Sequence, residues 1–285
     1  MIAALLAAAL SLSSNEVELW QIVALALAVI ILGLPHGALD PWIARREGFL
    51  RSPWRFAGQY LGLALLVVVV WWLFPVFSLG AFLLISAWHF GQDWAGLAPP
   101  WQRLVLGLGL LALPAASNSE QVQLIFTLLS SPQGAMLGQA LTLIAWITTP
   151  LMLAIALAFG WQRQWSASLE VVALVVLAWL VPALIYFIVY FCFLHSPRHL
   201  RHCLEDTEPD LRPRALGSAA GYSLLTLVFA LPFGLYLTRL NDIETALVQL
   251  VFIGLAALTV PHMVLMARAR SRARDRARRR ANGAT

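Results

Sequence analysis

The chain has 285 residues, 60% of them hydrophobic and only 12% charged, where a soluble domain carries roughly a quarter charged residues. All nineteen basic residues are Arg, and eight lie between Arg268 and Arg280, so the net charge of +5 describes a terminal tail more than the body. These figures exclude a water-soluble globular fold, and two cysteines, Cys192 and Cys203, are too few for a disulfide framework and read as free thiols.

Inside a bilayer only helices or closed barrels span. Runs such as Leu61–Phe74, Leu141–Phe159 and Val171–Leu194 lack the alternation of a barrel strand. They approach the roughly 20 residues that a spanning helix needs. The pattern predicts an all-α, polytopic membrane bundle of about eight or nine segments. It is a single embedded domain over 1–267, with an Arg-rich cytoplasmic tail over 268–285.

In chain order, Met1–Leu12 is apolar but lacks a positive n-region, and Glu16 and Glu18 follow. It reads as an extra apolar segment and not as a cleaved signal. Hydrophobic runs then fall at 19–36, 56–77, 78–96, 101–117, 119–131, 137–160, 168–195, 215–238 and 246–267. The run at 119–131 is short and ends in Ser-Ser-Pro. If all nine change sides, seventeen of the nineteen arginines fall on one face, leaving Arg163 and Arg239 on the other. That bias marks the cytoplasmic side of a cell inner membrane. It requires 119–131 to cross. An Arg-rich tail beside a final span fits anionic lipid better than nucleic acid.

The six histidines are His36, His89, His195, His199, His202 and His262. In this topology His36, His89, His195 and His262 all lie near the inner ends of four different segments. Ionisable groups within a membrane usually face the bundle interior and mark function. A lone one is more often a structural histidine in a polar pocket, but four at one depth point to a shared metal site. Asp40 and Asp93 each follow a histidine by four residues, where a carboxylate can hold the second ring N–H of a metal-bound imidazole on its own or a neighbouring helix. They could equally pair with Arg45, Arg46 or Arg103. Gly37 and Gly91, beside the histidines, allow close helix approach. His195 and His199 have i, i+4 spacing, with Pro197 between them to kink the helix or open a new one. His202 falls beside Arg201 in a loop. Imidazoles without thiolate suit iron, copper, zinc or nickel, and spacing does not choose among them.

The motifs Gly33-Leu34-Pro35-His36-Gly37-Ala38-Leu39-Asp40, Ser86-Ala87-Trp88-His89-Phe90-Gly91, His195-Ser196-Pro197-Arg198-His199 and Val260-Pro261-His262-Met263 stand in this order over most of the chain. With them the sequence resembles the Brp/Blh family of membrane β-carotene 15,15′-dioxygenases. The resemblance implies Fe(II)-dependent cleavage of β-carotene by O₂ at the central double bond, giving two all-trans-retinal. It implies iron on His36, His89, His195 and His199, with His262 a further ligand or near neighbour, and no catalytic residue beyond the metal centre. The partners it implies are β-carotene, O₂, the lipid bilayer and a retinal-using opsin as product acceptor. The long tail and the N-terminal segment are not features of the family.

Of the twelve tryptophans, Trp20, Trp54 and Trp101 fit an interfacial belt. Trp88 and Trp94, with Phe90, flank His89 and Asp93 and are expected to line a substrate tunnel. A covalent opsin is excluded because the chain has no Lys for a Schiff base. Two alternatives remain: a carotenoid- or retinal-binding membrane protein without catalysis, and a membrane bis-His haem protein.

Overall fold

The computed structural model describes residues 17–50 and 52–282; the side chains of His36, Pro53 and 273–282 are not among those described. The apolar segment 1–12 lies outside the described residues. Within them every regular element is a helix. α1 (Leu19–Ala28) continues through a π turn at Val29–Gly33 into α2 (Leu34–Gly37). α3 (Asp40–Arg46), α4 (Pro53–Leu73), α5 (Pro75–Gly91), α6 (Pro100–Ser117), α7 (Ser119–Leu129), α8 (Ala135–Trp161) and α9 (Trp165–Leu180) follow. α10 (Ala183–Phe187) widens into a π segment at Ile188–His195 and runs on as α11 (Ser196–Glu205). α12 (Arg212–Leu240) and α13 (Ile243–Asn282) complete the chain. Prolines open α4, α5 and α6, where the missing N–H is no loss.

Four stretches, Trp54–Leu73, Pro132–Trp161, Pro209–Leu240 and Ile243–Arg272, are each long and apolar enough to cross a membrane. That is fewer than the eight or nine expected, because hydropathy joins what prolines and π turns divide. Long apolar side chains on α4, α8 and α12 stand exposed, among them Leu65, Leu143 and Leu224. The outside of the bundle is therefore as oily as its inside, as a helix facing lipid requires.

The helix ends sort into two groups. His89 marks one end of the molecule, where Tyr60 reaches Asp40 and Arg198 meets Glu170. At the other end the Trp71 indole donates to the Leu129 carbonyl at 2.9 Å, Gln249 donates to that of Leu128, and Asn118 donates to that of Val181. Two sequence expectations are corrected here. Segment 119–131 does not change the chain's side. α7 packs back along the start of α8 through Gln123 and Gln139 and stays at the far end. Segment 168–195 is not one helix. Val181 is extended ahead of Pro182, as the residue before proline prefers, so α9 arrives at the far end and α10 sets out again. The two errors cancel, so every later helix keeps its direction. Arg163, expected on the far side, now falls at the histidine end. Among the described arginines only Arg239 remains opposite.

Tight helix contacts set the height of α5. A Cβ on Gly107 would stand 1.9 Å from the Ala87 carbonyl oxygen, and one on Gly91 would clash with the backbone of Arg103. Gly91 thus serves the close approach expected of it. Gly37 does not, for nothing lies within 4 Å of where its Cβ would be. α13 carries on without a break beyond Ala267 into the Arg-rich segment. There the Arg272 guanidinium donates to the Glu47 carbonyl and lies 4.7 Å over the Phe49 ring.

Candidate metal centre

Four imidazoles from separate elements meet at the histidine end. His89 comes from the last turn of α5, His195 from the end of the π segment, His199 from α11 and His262 from the middle of α13. Ring centroids lie 4.8 Å apart for His89 and His195, 5.3 Å for His89 and His262, and 5.1 Å for His199 and His262. His89, His195 and His262 are buried and His199 is half-buried, while His202 is exposed, as its place beside Arg201 suggested. α2 brings His36 to the same end, but its ring lies outside the described residues.

The carboxylates do not serve the histidines that precede them in the sequence. The Asp93 oxygens lie 3.0 and 3.1 Å from His195 Nδ1, and Asp40 Oδ1 lies 2.7 Å from His262 Nδ1. Each carboxylate also accepts a tyrosine hydroxyl at 2.8 Å, from Tyr190 onto Asp93 and from Tyr60 onto Asp40. Two Tyr–Asp–His relays therefore flank the cluster. Asp93 is held further by Arg198 at 3.3 Å, itself paired with Glu170 at 2.6 Å. Arg45, Arg46 and Arg103 are not the partners of either aspartate; Arg103 donates to Gln92. The Ser196 hydroxyl donates to the Leu32 carbonyl instead of capping α11, so it ties the start of α11 to the π turn after α1. The backbone stays helical through Ser196, and Pro197 falls in the first turn of α11 directly after the π segment.

With a carboxylate on Nδ1, the ring proton of His195 and His262 belongs on that nitrogen, leaving the Nε2 lone pair facing inward. His195 Nε2 stands 3.1 Å from His89 Nε2. Two nitrogens bound cis at about 2.1 Å from one ion are about 3.0 Å apart, so this pair fits a shared metal. It leaves no plane for a porphyrin between the rings. Among the described residues, no three His, Cys, Asp or Glu side chains close into a finished metal cage.

An apolar cavity with about 1020 Å³ of space between its walls and at its mouth ends at this cluster. His89 and Phe90 form its inner end. Leu110 of α6, Phe126 of α7, Phe187 of α10 and Phe252 of α13 carry its walls toward the far end of the bundle.

Compared with known proteins, the sequence matches the family described as Beta-carotene 15,15′-dioxygenase over residues 27–268. The chain belongs to the β-carotene 15,15′-dioxygenase family. A protein of that name from uncultured marine bacterium 66A03 is 32% identical over 268 residues, 85% of this chain and 91% of the relative. No solved structure matches.

Within this family chain, the aromatic residues expected to line a tunnel divide. Phe90 lines the cavity and packs edge-on to His195 at 4.9 Å. Trp88 does not line it; it is one helical step from His89 and so turns about 100° away, to the outer surface, where it is 47% exposed. Trp94 is buried on the other side of Asp93, against a polar cleft that Arg198 and Glu170 share. The sequence reasoning missed Tyr60, Tyr190, Arg198 and Glu170. Arg198 alone of these stands inside a motif singled out in the sequence, between His195 and His199. The remaining expectation for the cysteines holds: Cys192 and Cys203 are free and buried.

Proposed function

We propose that this family member cleaves β-carotene at its central 15,15′ double bond, taking both atoms of one O₂ into two molecules of all-trans-retinal. The observation that carries the proposal is an apolar cavity ending on an imidazole cluster whose rings are aimed from behind by carboxylates. The 66A03 relative's name supports the reaction. Iron(II) would be held by His36, His89, His195 and His199, with His262 beside them, and would supply the electrons that let O₂ react with an alkene. The protein's own part is to position and to exclude. His89 and Phe90 present the cluster to the polyene, and the aliphatic and phenyl walls keep water away. Asp40 and Asp93 fix the ring orientations. The two aldehydes balance the reaction without a proton donor.

The long polyene dissolves in lipid, so the same proposal sets the bundle in a cell membrane. Nine passes are made by α1–α2, α4, α5, α6, α8, α9, the helix from α10 through the π segment, α12 and α13. The histidine end, carrying nearly all the arginines, faces the cytoplasm together with the C-terminal tail. An opsin that takes retinal is the natural consumer of the product.

Expression in a β-carotene-accumulating host tests the proposal. Loss of orange colour with retinal appearing by chromatography, both absent with His89→Ala, is the expected result. Carotenoid bound and unaltered in aerobic, iron-supplemented protein would favour a binding protein without catalysis.

A further inference from the structure

A polyene offers many double bonds of nearly equal chemistry, and the proposed reaction breaks only the central one. How far the chain slides in must therefore decide which bond meets the histidines. Along α5 the lining of the apolar cavity runs from His89 back to Leu79, ten residues or roughly 15 Å at 1.5 Å per residue. That depth is about the reach of one polyene arm with its terminal ring. In a symmetric molecule, seating one ring at that depth is enough to bring the centre to the cluster.

The far end of the cavity is faced by α7. Val122, Ile125, Phe126 and Leu129 all line it, and their i, i+3, i+4, i+7 spacing puts them on one side of the helix. All four are buried. Three other helices hold that face in place. The Trp71 indole of α4 and the Gln249 amide of α13 donate to the Leu129 and Leu128 carbonyls at 2.9 and 2.8 Å, and the Ala183 N–H of α10 donates to the Gln121 side chain at 3.0 Å. Core packing alone would explain an apolar face on α7, but protein interiors close up to leave few voids larger than a water molecule. Here the face is fixed and the space before it stays open.

We propose that α7 is the register stop of the cavity: its face seats the terminal ring of one arm and thereby sets the central bond at the histidines. This rests on the cavity being the polyene site, as proposed above. Cleavage at any position breaks one C=C and puts one oxygen atom of O₂ on each carbon, so a shifted register still gives two carbonyl products. Central cleavage gives two of equal length. Cleavage one double bond away gives one longer than retinal and one shorter. Phe126 is the largest side chain of the four. Truncating it lets the ring slide further in, and enlarging Val122 holds the ring further out. By the symmetry of β-carotene, both displacements give the same unequal pair.

The test measures product lengths by chromatography, with β-carotene and iron-loaded wild type, Phe126→Ala, Val122→Phe and Phe126→Leu, which keeps most of the volume. An apolar pocket separates ligands one methylene apart by roughly 10- to 200-fold, so off-centre carbonyls should stay below about a tenth of the wild-type product. Phe126→Ala and Val122→Phe should each raise that share at least about threefold, close to the weight of one buried CH₂. Phe126→Leu should stay near wild type, as should Leu65→Ala on the exposed side of α4. Loosened packing alone would lower the yield and leave the ratio unchanged. Ile125→Ala, a smaller change on the same face, replaces either variant if circular dichroism shows that it does not fold. Retinal as the sole product of both variants would overturn the proposal. So would loss of all cleavage in folded variants that still bind β-carotene, because a shifted register keeps some double bond at the histidines. Wild type that forms no carbonyl product refutes the cleavage proposal and this one with it, whereas central cleavage by wild type and variants alike refutes this one alone.

Discussion

Gly107 is the position where a single methyl should do most harm. Its Cβ would lie 1.9 Å from the carbonyl oxygen of Ala87 and 2.9 Å from the amide nitrogen of Gly91. Both are backbone atoms in the last two turns of α5, so no side chain can swing aside. To reach even 3.0 Å, α6 and α5 must separate by at least 1.1 Å (3.0 minus 1.9). Those turns carry His89, and Asp93 follows directly. Overpacking of this kind costs about 1–3 kcal/mol, and displacement of about 1 Å at a reacting centre can cost on the order of 100-fold in rate. Gly107→Ala should therefore melt earlier and form retinal at least tenfold more slowly in a β-carotene-accumulating host. Gly58→Ala, which adds the same methyl where nothing lies within 4 Å, should do neither. Gly107→Ala with wild-type melting and wild-type retinal yield would refute the packing argument.

Further outcomes follow from the relays and the helix ends. Asp93→Asn, which keeps the volume but removes the charge facing His195 Nδ1, should weaken iron binding about 10- to 100-fold, as measured by titration of metal-stripped protein. Tyr190→Phe should weaken it less, because Asp93 keeps its bond to His195. Arg198→Met should lower iron affinity more than Arg201→Met, since Arg198 holds Asp93 whereas Arg201 pairs with exposed Glu205. Asp242 caps α13, accepting the Thr245 N–H at 2.9 Å, and that bond holds its carboxyl below the usual carboxylate range. Its contribution is therefore present above the unfolded pKa of about 3.9 and lost only as pH falls through the lower folded value. Asp242→Ala should cost about 1 kcal/mol at neutral pH, and the difference from wild type should shrink under strong acid in parallel melting curves.

The histidines were legible because an imidazole in an oily run has few bland explanations, and four near the same ends of separate runs have fewer. Asp40 and Asp93 were legible as helpers through their spacing, but not their partners. Each bridges to a ring delivered by an element over a hundred residues away, which only tertiary packing decides. The same limit hid Tyr60 and the Arg198–Glu170 pair. Trp88 shows the opposite failure, where adjacency along the chain was mistaken for adjacency around a helix. Hydropathy failed at 119–131 and 168–195 for one reason: it measures length and not direction. Pro182 and the excess length of 168–195 were the available signals. Because one miscount added a crossing and the other removed one, the arginine asymmetry survived and even improved.

The most direct measurement is the iron content of anaerobically loaded, exhaustively washed protein, with circular dichroism to verify helix content. Wild type and His202→Ala should each retain close to one equivalent per chain, while His89→Ala and His195→Ala keep their helices and lose most of the metal. Wild-type protein that holds no iron, or His89→Ala protein that holds as much as wild type, would contradict the account.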